Sequence, residues 1–223
     1  MTLETIEIIR QKSRKKTLDF HIVEKGFVQV LAPWGVHDKE ILQLLQEKKW
    51  NLTDSTEVIV KCLPKLEEGA QFLYLGRHFE IHFSRDAKRV TIANGYINIP
   101  KSASNYQSGR EKLIAWYKKQ AKKWIPQRVK ELSAIHHFHY GKVRISSAVR
   151  RWGSCSTTNN LSFTWRLIQA PPSVIDSVIC HELVHTIIKN HARAFKRKLD
   201  QIDPDYSRSQ KWLKRHALEL LSW

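Results

Sequence analysis

Two histidines and a glutamate in the segment His181-Glu182-Leu183-Val184-His185 have the spacing of a metal-dependent hydrolase. A helix turns about 100° per residue, so side chains four positions apart lie nearly one above the other. His181 and His185 can therefore present two imidazoles to one metal ion, with Glu182 beside them. A glutamate in this position can accept a proton from water that zinc has activated. We therefore predict that Glu182 is a catalytic base.

A third candidate ligand, His191, follows His185 by six residues. The order H-E-x-x-H-x5-H matches the ligand spacing of metzincin zinc proteases, in which the chain turns after the helix and returns a third histidine. Those proteases carry a glycine where this chain has Ile188. We expect a different turn here, through Lys189-Asn190, because Asn tolerates the left-handed conformation. The sequence thus predicts a Zn²⁺ site formed by His181, His185 and His191.

The residues that precede this motif predict a core helix. Pro171-Pro172 comes first, and Ser173 is the expected N-cap. Apolar residues then occupy two sides of the helix, as in a helix buried in a core. Polar groups on such a helix need partners to offset their desolvation, and a metal ion would supply one to each histidine. The alternatives are a chance match to the pentapeptide and a histidine that is only hydrogen-bonded in the core.

Residues on both sides of the motif resemble the YgjP-like metallopeptidase family, a bacterial relative of the SprT-like and WLM zinc proteases. The segments that carry the resemblance are Arg150-Arg151-Trp152-Gly153-Ser154-Cys155-Ser156, Leu161-Ser162-Phe163-Thr164-Trp165-Arg166-Leu167, Asn190-His191-Ala192-Arg193-Ala194-Phe195 and Asp203-Pro204-Asp205-Tyr206. The similarity is specific over roughly residues 142 to 216 and looser before them. It implies a zinc site at His181, His185 and His191, with Glu182 as catalytic base.

Further residues are candidates for substrate binding. Arg151 and Trp152 lie beside Gly153, and this composition suits a loop that holds an anion or a peptide backbone. Peptide hydrolysis also needs a group that stabilises the oxyanion, and the candidates are Arg151 and Tyr206. The alternatives are a surface Arg, a buried Trp that anchors the loop, and a Tyr ring packed at the start of a helix.

Basic residues are concentrated in the second half of the chain. Residues 1–100 hold 15 Lys and Arg against 13 Asp and Glu, whereas residues 101–223 hold 23 against 8. Such an excess favours polyanions such as nucleic acid or nucleotides, although a solvated basic face has the same composition. One cluster interleaves bases with aromatic rings: Trp116, Tyr117, Lys118, Lys119, Lys122, Lys123 and Trp124. This pattern can bind single-stranded nucleic acid, but at helical spacing the rings can instead form core.

Composition also excludes some classes of protein. The three cysteines, Cys62, Cys155 and Cys180, are too few and too scattered for a disulfide framework. No apolar run reaches membrane-spanning length, and the first residues do not begin a secretory signal. We therefore expect a cytoplasmic protein without membrane association.

Secondary-structure signals predict an α+β fold. An N-terminal antiparallel β region over residues 1–100 leads into a helical zincin-like domain with a small sheet over residues 101–223. Hairpins are expected over residues 18–31, 72–83 and 89–99, the last closed by Asn94-Gly95. A helix from Gln107 should be kinked or interrupted at Pro126. Leu161–Leu167 is either an edge strand that pairs with an extended peptide or a purely structural strand.

The leading functional hypothesis is a zinc metallopeptidase that acts on a polypeptide. One alternative is a metal-dependent nucleoside-triphosphate pyrophosphohydrolase, because water activated by a metal can attack phosphorus as well as carbon. The neighbourhood is nevertheless poor in the Asp and Glu that magnesium sites use. The other alternative is a nucleic-acid-associated module with a structural zinc, but three histidines with a glutamate beside them favour an open, catalytic site.

Overall fold

A computed structural model describes residues 2–11, 18–24, 27–33, 35–48, 50–62, 66–101 and 106–221. The chain forms two compact units, Met1–Leu63 with Lys211–Trp223, and Pro64–Gln210. This division differs from the predicted boundary at residue 100. Residues 64–100 belong with the later part of the chain, where the hydroxyl of buried Tyr117 donates to the carbonyl of Leu73 at 2.7 Å.

The first unit contains a four-stranded sheet with the order β2-β3-β1-β4. Its elements are β1 (Thr2–Gln11), β2 (Asp19–Glu24), β3 (Phe27–Pro33), α1 (Asp38–Glu47) and β4 (Asn51–Cys62). The predicted hairpin is present as the antiparallel pair β2 and β3, but β1 pairs in parallel with both β3 and β4. The region is therefore mixed rather than antiparallel. Because the helix α1 connects β3 to β4, these two strands run in the same direction, and β1 lies between them in that direction.

The second unit begins with another four-stranded sheet, of order β5-β6-β8-β7. Its strands are β5 (Gln71–Tyr74), β6 (Arg77–Ser84), β7 (Thr91–Ala93) and β8 (Tyr96–Pro100). Both predicted hairpins are confirmed, since β5–β6 and β7–β8 are antiparallel pairs. Asn94 and Gly95 have φ values of 52° and 82°, the left-handed values that a type I′ turn requires at both central positions.

A three-stranded sheet of order β10-β11-β9 follows. Its strands are β9 (Val143–Ser146), β10 (Gly153–Cys155) and β11 (Leu161–Thr164). The middle strand, β11, is antiparallel to β10 and parallel to β9, so it has no free edge. The prediction of a peptide-pairing edge at Leu161–Leu167 is therefore wrong, and residues 165–169 form a 3₁₀ helix instead. Strand β10 is an edge strand of this sheet, and its Gly153 lies against Glu182.

The helices after residue 100 are α2 (Tyr106–Ile135), α3 (Pro172–Val184), α4 (Arg193–Ile202) and α5 (Tyr206–Leu221). The α+β class is thus confirmed. Pro126 does not interrupt α2, which continues from Tyr106 to Ile135, so of the two expected outcomes the interruption is wrong. Its missing amide would pair with the carbonyl of Lys122, an exposed residue, so that carbonyl can bond to water instead. Within the described residues, none of these helices is long and apolar enough to cross a membrane.

Two aromatic residues of α2, Trp116 and Tyr117, belong to the core. Tyr117 is fully buried, and its ring stacks on that of Trp165 with centroids 5.9 Å apart. Trp116 is 9% exposed and packs against Tyr74. Two of the three rings proposed for stacking on nucleic acid are therefore unavailable to bases. Lys119, Lys122 and Lys123 are exposed, and Lys118 is half-buried.

The turn of the β5–β6 hairpin packs on the segment that leads into α3. The amides of Leu75 and Gly76 each donate to a carbonyl of the 3₁₀ helix at 3.0 Å. Gly76 has a φ of +75°, and a Cβ at this residue would lie 2.7 Å from the Cα of Pro171. Only glycine fits this approach. Pro171, rather than the predicted Ser173, is the N-cap of α3, so the hairpin fixes the start of the helix that carries the motif.

Candidate metal centre

Helix α3 places the first two histidines at its C-terminal end. His181 lies in the last turn, and His185 is the C-cap residue. The apolar side chains on both sides of this helix are buried, as predicted: Val174, Ile175, Val178, Ile179, Leu183 and Val184. A bidentate ion pair fixes the helix against α2, since Arg128 donates to both carboxylate oxygens of Asp176 at 2.7 and 2.8 Å. The motif is therefore held on a rigid element.

The chain leaves α3 by a compact turn that needs no glycine. The amide of Ile188 donates to the carbonyl of Val184 at 2.9 Å. Asn190 then accepts a hydrogen bond from the amide of Ala192 on its side-chain oxygen at 3.2 Å. Neither Lys189 nor Asn190 has a positive φ, so the expectation of a left-handed turn is wrong. The Asn side chain takes the place of a backbone acceptor and directs the chain into α4.

This turn brings three imidazole nitrogens together. Nε2 of His191 lies 3.1 Å from Nε2 of His185 and 3.3 Å from Nε2 of His181. Two nitrogens bound to zinc at about 2.0–2.1 Å in tetrahedral geometry are separated by about 3.3 Å. Two of the three separations therefore match those around one tetrahedral ion, and all three ligand atoms lie within 4.8 Å of one another. His191 is exposed, so the fourth position would be open to solvent.

The protonation of the histidines also suits a metal. Nδ1 of His185 donates to the carbonyl of Ile188 at 3.0 Å, which leaves the lone pair of Nε2 facing the other rings. Burial, followed by the neighbouring His185 and His191, lowers the pKa of His181 to about 4. Burial is also the main cause of the lowered pKa of His185. Neutral imidazole is the form that ligates a metal, and these two rings are neutral at pH 7.

His181 also carries a nitrogen that lacks a partner. Its Nδ1 is buried, and no described residue forms a hydrogen bond with it. A buried polar atom without a partner costs free energy. A metal ion bound at Nε2 would offset this cost through the same ring.

Phe195 of α4 contacts all three histidines. It is 3% exposed, and its ring centroid lies 4.9, 4.5 and 4.7 Å from those of His181, His185 and His191. The aromatic ring holds the imidazoles in place and excludes water behind them. Sequence reasoning did not assign this residue to the site. The available signal was its position four residues after His191, where a helix begins.

Glu182, the predicted catalytic base, is buried and has a raised pKa. Its side chain is buried at 6% residue exposure, and burial raises its pKa to about 7, although the guanidinium of Arg151 opposes this increase. A carboxyl group that titrates near neutral pH can both accept and return a proton. Arg151 itself is exposed, and its positive charge lowers the pKa of Glu182 only as a smaller effect beside burial.

The two aromatic candidates for substrate binding differ in their placement. The ring of Tyr206 is parallel to that of His181, with centroids 5.5 Å apart and an interplanar angle of 12°. Burial, with smaller contributions from Glu182 and Asp203, raises the pKa of Tyr206 to about 12, so the phenol keeps its proton and can donate it. Trp152 is half-buried, and its carbonyl accepts a hydrogen bond within the sheet. Of these two residues, Tyr206 is thus placed against a candidate metal ligand.

Lys189 lies in the segment between His185 and His191, and it forms hydrogen bonds with the turn that follows β10. Its Nζ donates to the carbonyl of Ser156 at 2.9 Å and to the side-chain oxygen of Asn159 at 2.5 Å. It also lies 3.6 Å from Sγ of Cys155. Burial raises the pKa of the Cys155 thiol, so this cysteine is a poor nucleophile. The lysine acts as a link between the loops that surround the three histidines.

The family model described as "YgjP-like, metallopeptidase domain" matches residues 16–216. A similar solved structure is that of the metallopeptidase zymogen of Methanocaldococcus jannaschii jannalysin. It has a TM-score of 0.36 and 22% sequence identity, over 41% of this chain and 92% of that chain. No curated protein matches the chain. The range matched by the family model includes every residue of the candidate metal centre.

Proposed function

Since the chain belongs to the YgjP-like metallopeptidase family, we propose that it is a zinc-dependent peptidase whose Zn²⁺ is held by three histidines. The observation that carries this proposal is the convergence of Nε2 from His181, His185 and His191 at 3.1 and 3.3 Å. Three neutral imidazoles suit zinc rather than magnesium or calcium, which prefer oxygen ligands. A bound zinc ion would polarise the scissile carbonyl and acidify water.

The remaining chemistry falls to side chains of this protein. Glu182 would accept a proton from the attacking water and return it to the leaving amine, and its pKa of about 7 suits both transfers. The protonated hydroxyl of Tyr206 and the guanidinium of Arg151 are the groups proposed to stabilise the oxyanion. Trp152 retains its proposed role as a substrate contact in the loop that precedes β10.

Among the described residues, no strand pairs with the outer edge of β10, and this edge offers a place for an extended peptide. The amide of Thr164 donates to the carbonyl of Trp152, and the amide of Ser156 donates to that of Asn160. In an antiparallel ladder, residues between such bonded pairs direct their own amide and carbonyl groups outward. Gly153 and Cys155 occupy these outward-facing positions, because they alternate with Trp152, Ser154 and Ser156 along the strand. A substrate backbone can pair with these two residues and lie beside α3, a recognised mode of peptide binding.

The two alternative functions gain no support from the structure. Among the residues it describes, the three histidines form the only group of His, Cys, Asp or Glu placed to hold a metal ion. The carboxylate-rich site expected of a magnesium triphosphatase is therefore absent from that part of the chain. Burial of Trp116 and Tyr117 removes the main stacking surface expected of a nucleic-acid module.

The proposal is tested by comparing wild type with Glu182→Gln, both loaded with zinc. Each protein is incubated with an unfolded polypeptide and, separately, with a panel of nucleoside triphosphates. We expect the variant to keep its zinc and to cleave the polypeptide about 10²- to 10⁴-fold more slowly, because an amide cannot accept the proton. Glu67→Gln, at an exposed glutamate of the same unit, is the matched control and should cleave like wild type. Hydrolysis of nucleotides without cleavage of the polypeptide would contradict the proposal.

A further inference from the structure

We propose that Gly153 is a positioning residue for Glu182, an inference that rests on the proposed peptidase function. A Cβ at residue 153 would lie 2.7 Å from both Cγ and Oε1 of Glu182, and 3.0 Å from its Cδ. Non-bonded carbon atoms are normally about 3.5–4.0 Å apart. The side chain of the proposed base therefore lies directly against the backbone of β10, in space that any side chain at residue 153 would occupy.

The requirement for glycine at this position is steric rather than conformational. Gly153 lies in a regular strand, paired with Phe163 of β11, and its φ is outside the left-handed region. Any residue could adopt this backbone. Only the absence of a Cβ explains how the strand approaches α3 so closely. The backbone of β10 therefore packs against one side of Glu182 and limits the positions that its carboxylate can occupy.

The same residue faces the expected path of the substrate. Its amide and carbonyl groups point away from β11, toward the free edge where a peptide would pair. Gly153 would thus contact the substrate through its peptide groups and the base through its Cα. A peptide paired at this residue would lie at a fixed distance from the carboxylate of Glu182. Strand β10 in this way sets the position of the base relative to the bond to be cleaved.

A methyl group at residue 153 would displace the base without unfolding the protein. To restore a contact of about 3.5 Å, the overlapping atoms of Glu182 must retreat by about 0.8 Å. These atoms belong to the flexible end of a side chain, so the strand and helix can stay in place. A misplacement of about 1 Å in a catalytic group lowers the rate by about 10²-fold.

The first test measures peptide cleavage by Gly153→Ala, Glu182→Gln and the double variant, each loaded with zinc. We expect Gly153→Ala to lower kcat about 10²-fold, with KM and zinc content within about twofold of wild type. The double variant should be no slower than Glu182→Gln alone, because the methyl group acts only through the carboxylate. Ser154→Ala is the matched control, since the side chain of the next residue in the strand points to the opposite face.

The second test needs no turnover. Acetohydroxamate binds zinc through its two oxygens and gives up a proton to a neighbouring base, so its affinity reports the position of Glu182. We expect its Kd for zinc-loaded protein to rise by a similar factor in Gly153→Ala and Glu182→Gln, with no further rise in the double variant. If this pattern holds but no peptide is cleaved by wild type, the peptidase proposal fails and the assignment of Gly153 stands.

Two results would overturn the assignment of Gly153. One is a Gly153→Ala protein that binds acetohydroxamate as wild type does while Glu182→Gln is weakened. The other is a Gly153→Ala chain that fails to fold or to bind zinc, because the methyl group would then act on the backbone rather than on Glu182. Circular dichroism and zinc content of each variant distinguish these outcomes from the expected one.

Discussion

Replacing Glu182 by Gln should stabilise the metal-free protein at neutral and alkaline pH. Burial raises the pKa of this carboxyl from its ordinary value of 4.5 to about 7 in the folded protein. The folded state therefore binds the proton more tightly than the unfolded state does. The contribution of Glu182 to the free energy of unfolding is fully present below about pH 4.5. It is lost as the pH rises from about 4.5 to about 7, and it stays absent above that range.

The size of this effect follows from the two pKa values. A difference of one in pKa corresponds to about 1.4 kcal/mol, so the buried carboxylate costs about 3 kcal/mol at pH 8 and less than about 1 kcal/mol at pH 5. The amide side chain introduced by Glu182→Gln would carry no charge at either pH. The depressed pKa of His181 destabilises the folded state as the pH falls below 6.5, but it does so in both proteins and cancels in the comparison.

The assay is urea unfolding of metal-stripped wild type and Glu182→Gln at pH 5, 6, 7 and 8. The free energy of unfolding of the variant, relative to wild type, should increase by roughly 2–3 kcal/mol across this range. Glu67→Gln should show no such trend, because its carboxylate lies in water in both the folded and unfolded chain. A difference between wild type and Glu182→Gln that does not change with pH would refute the argument that burial controls this group.

Three further predictions concern the metal, the fold and the basic surface. His181→Ala and His185→Ala should each lose bound zinc, and metal analysis that returns one zinc per chain in both variants would rule out the site. Gly76→Ala should destabilise the protein by about 1–3 kcal/mol more than Gly69→Ala in urea unfolding, because both glycines have a positive φ but only the methyl at residue 76 would overlap Pro171. Charge reversal at Lys118, Lys119, Lys122 and Lys123 should weaken the salt-dependent binding of single-stranded DNA without altering zinc content. If wild type shows no binding in a titration at low salt, these lysines serve only solubility.

The parts of this protein that sequence predicts well are those set by local geometry. Helical spacing alone brings His181, Glu182 and His185 together on α3. The Asn94-Gly95 turn is equally local, since both residues need positive φ and few other pairs tolerate it. The helix over Tyr206–Leu221 follows from apolar residues at helical spacing.

The features that sequence reasoning misses depend on contacts between distant segments. Whether β11 is an edge strand depends on the order of strands in the sheet, which no single segment encodes. The parallel pairing of β1 likewise depends on two segments that follow it in the chain. Phe195 joins the metal centre only because α4 packs across it. The sequence around Gly153 indicates only a loop, because the close approach of this residue to Glu182 depends on the packing of β10 against α3.

Zinc titration of the metal-stripped protein in the presence of an unfolded polypeptide tests the central claim most directly. Cleavage should increase in proportion to added zinc and stop increasing at one ion per chain. Glu182→Gln should bind the same amount of zinc and cleave about 10²- to 10⁴-fold more slowly. Cleavage that persists after zinc is removed, or full activity in zinc-loaded Glu182→Gln, would contradict a peptidase that relies on three histidines and this glutamate.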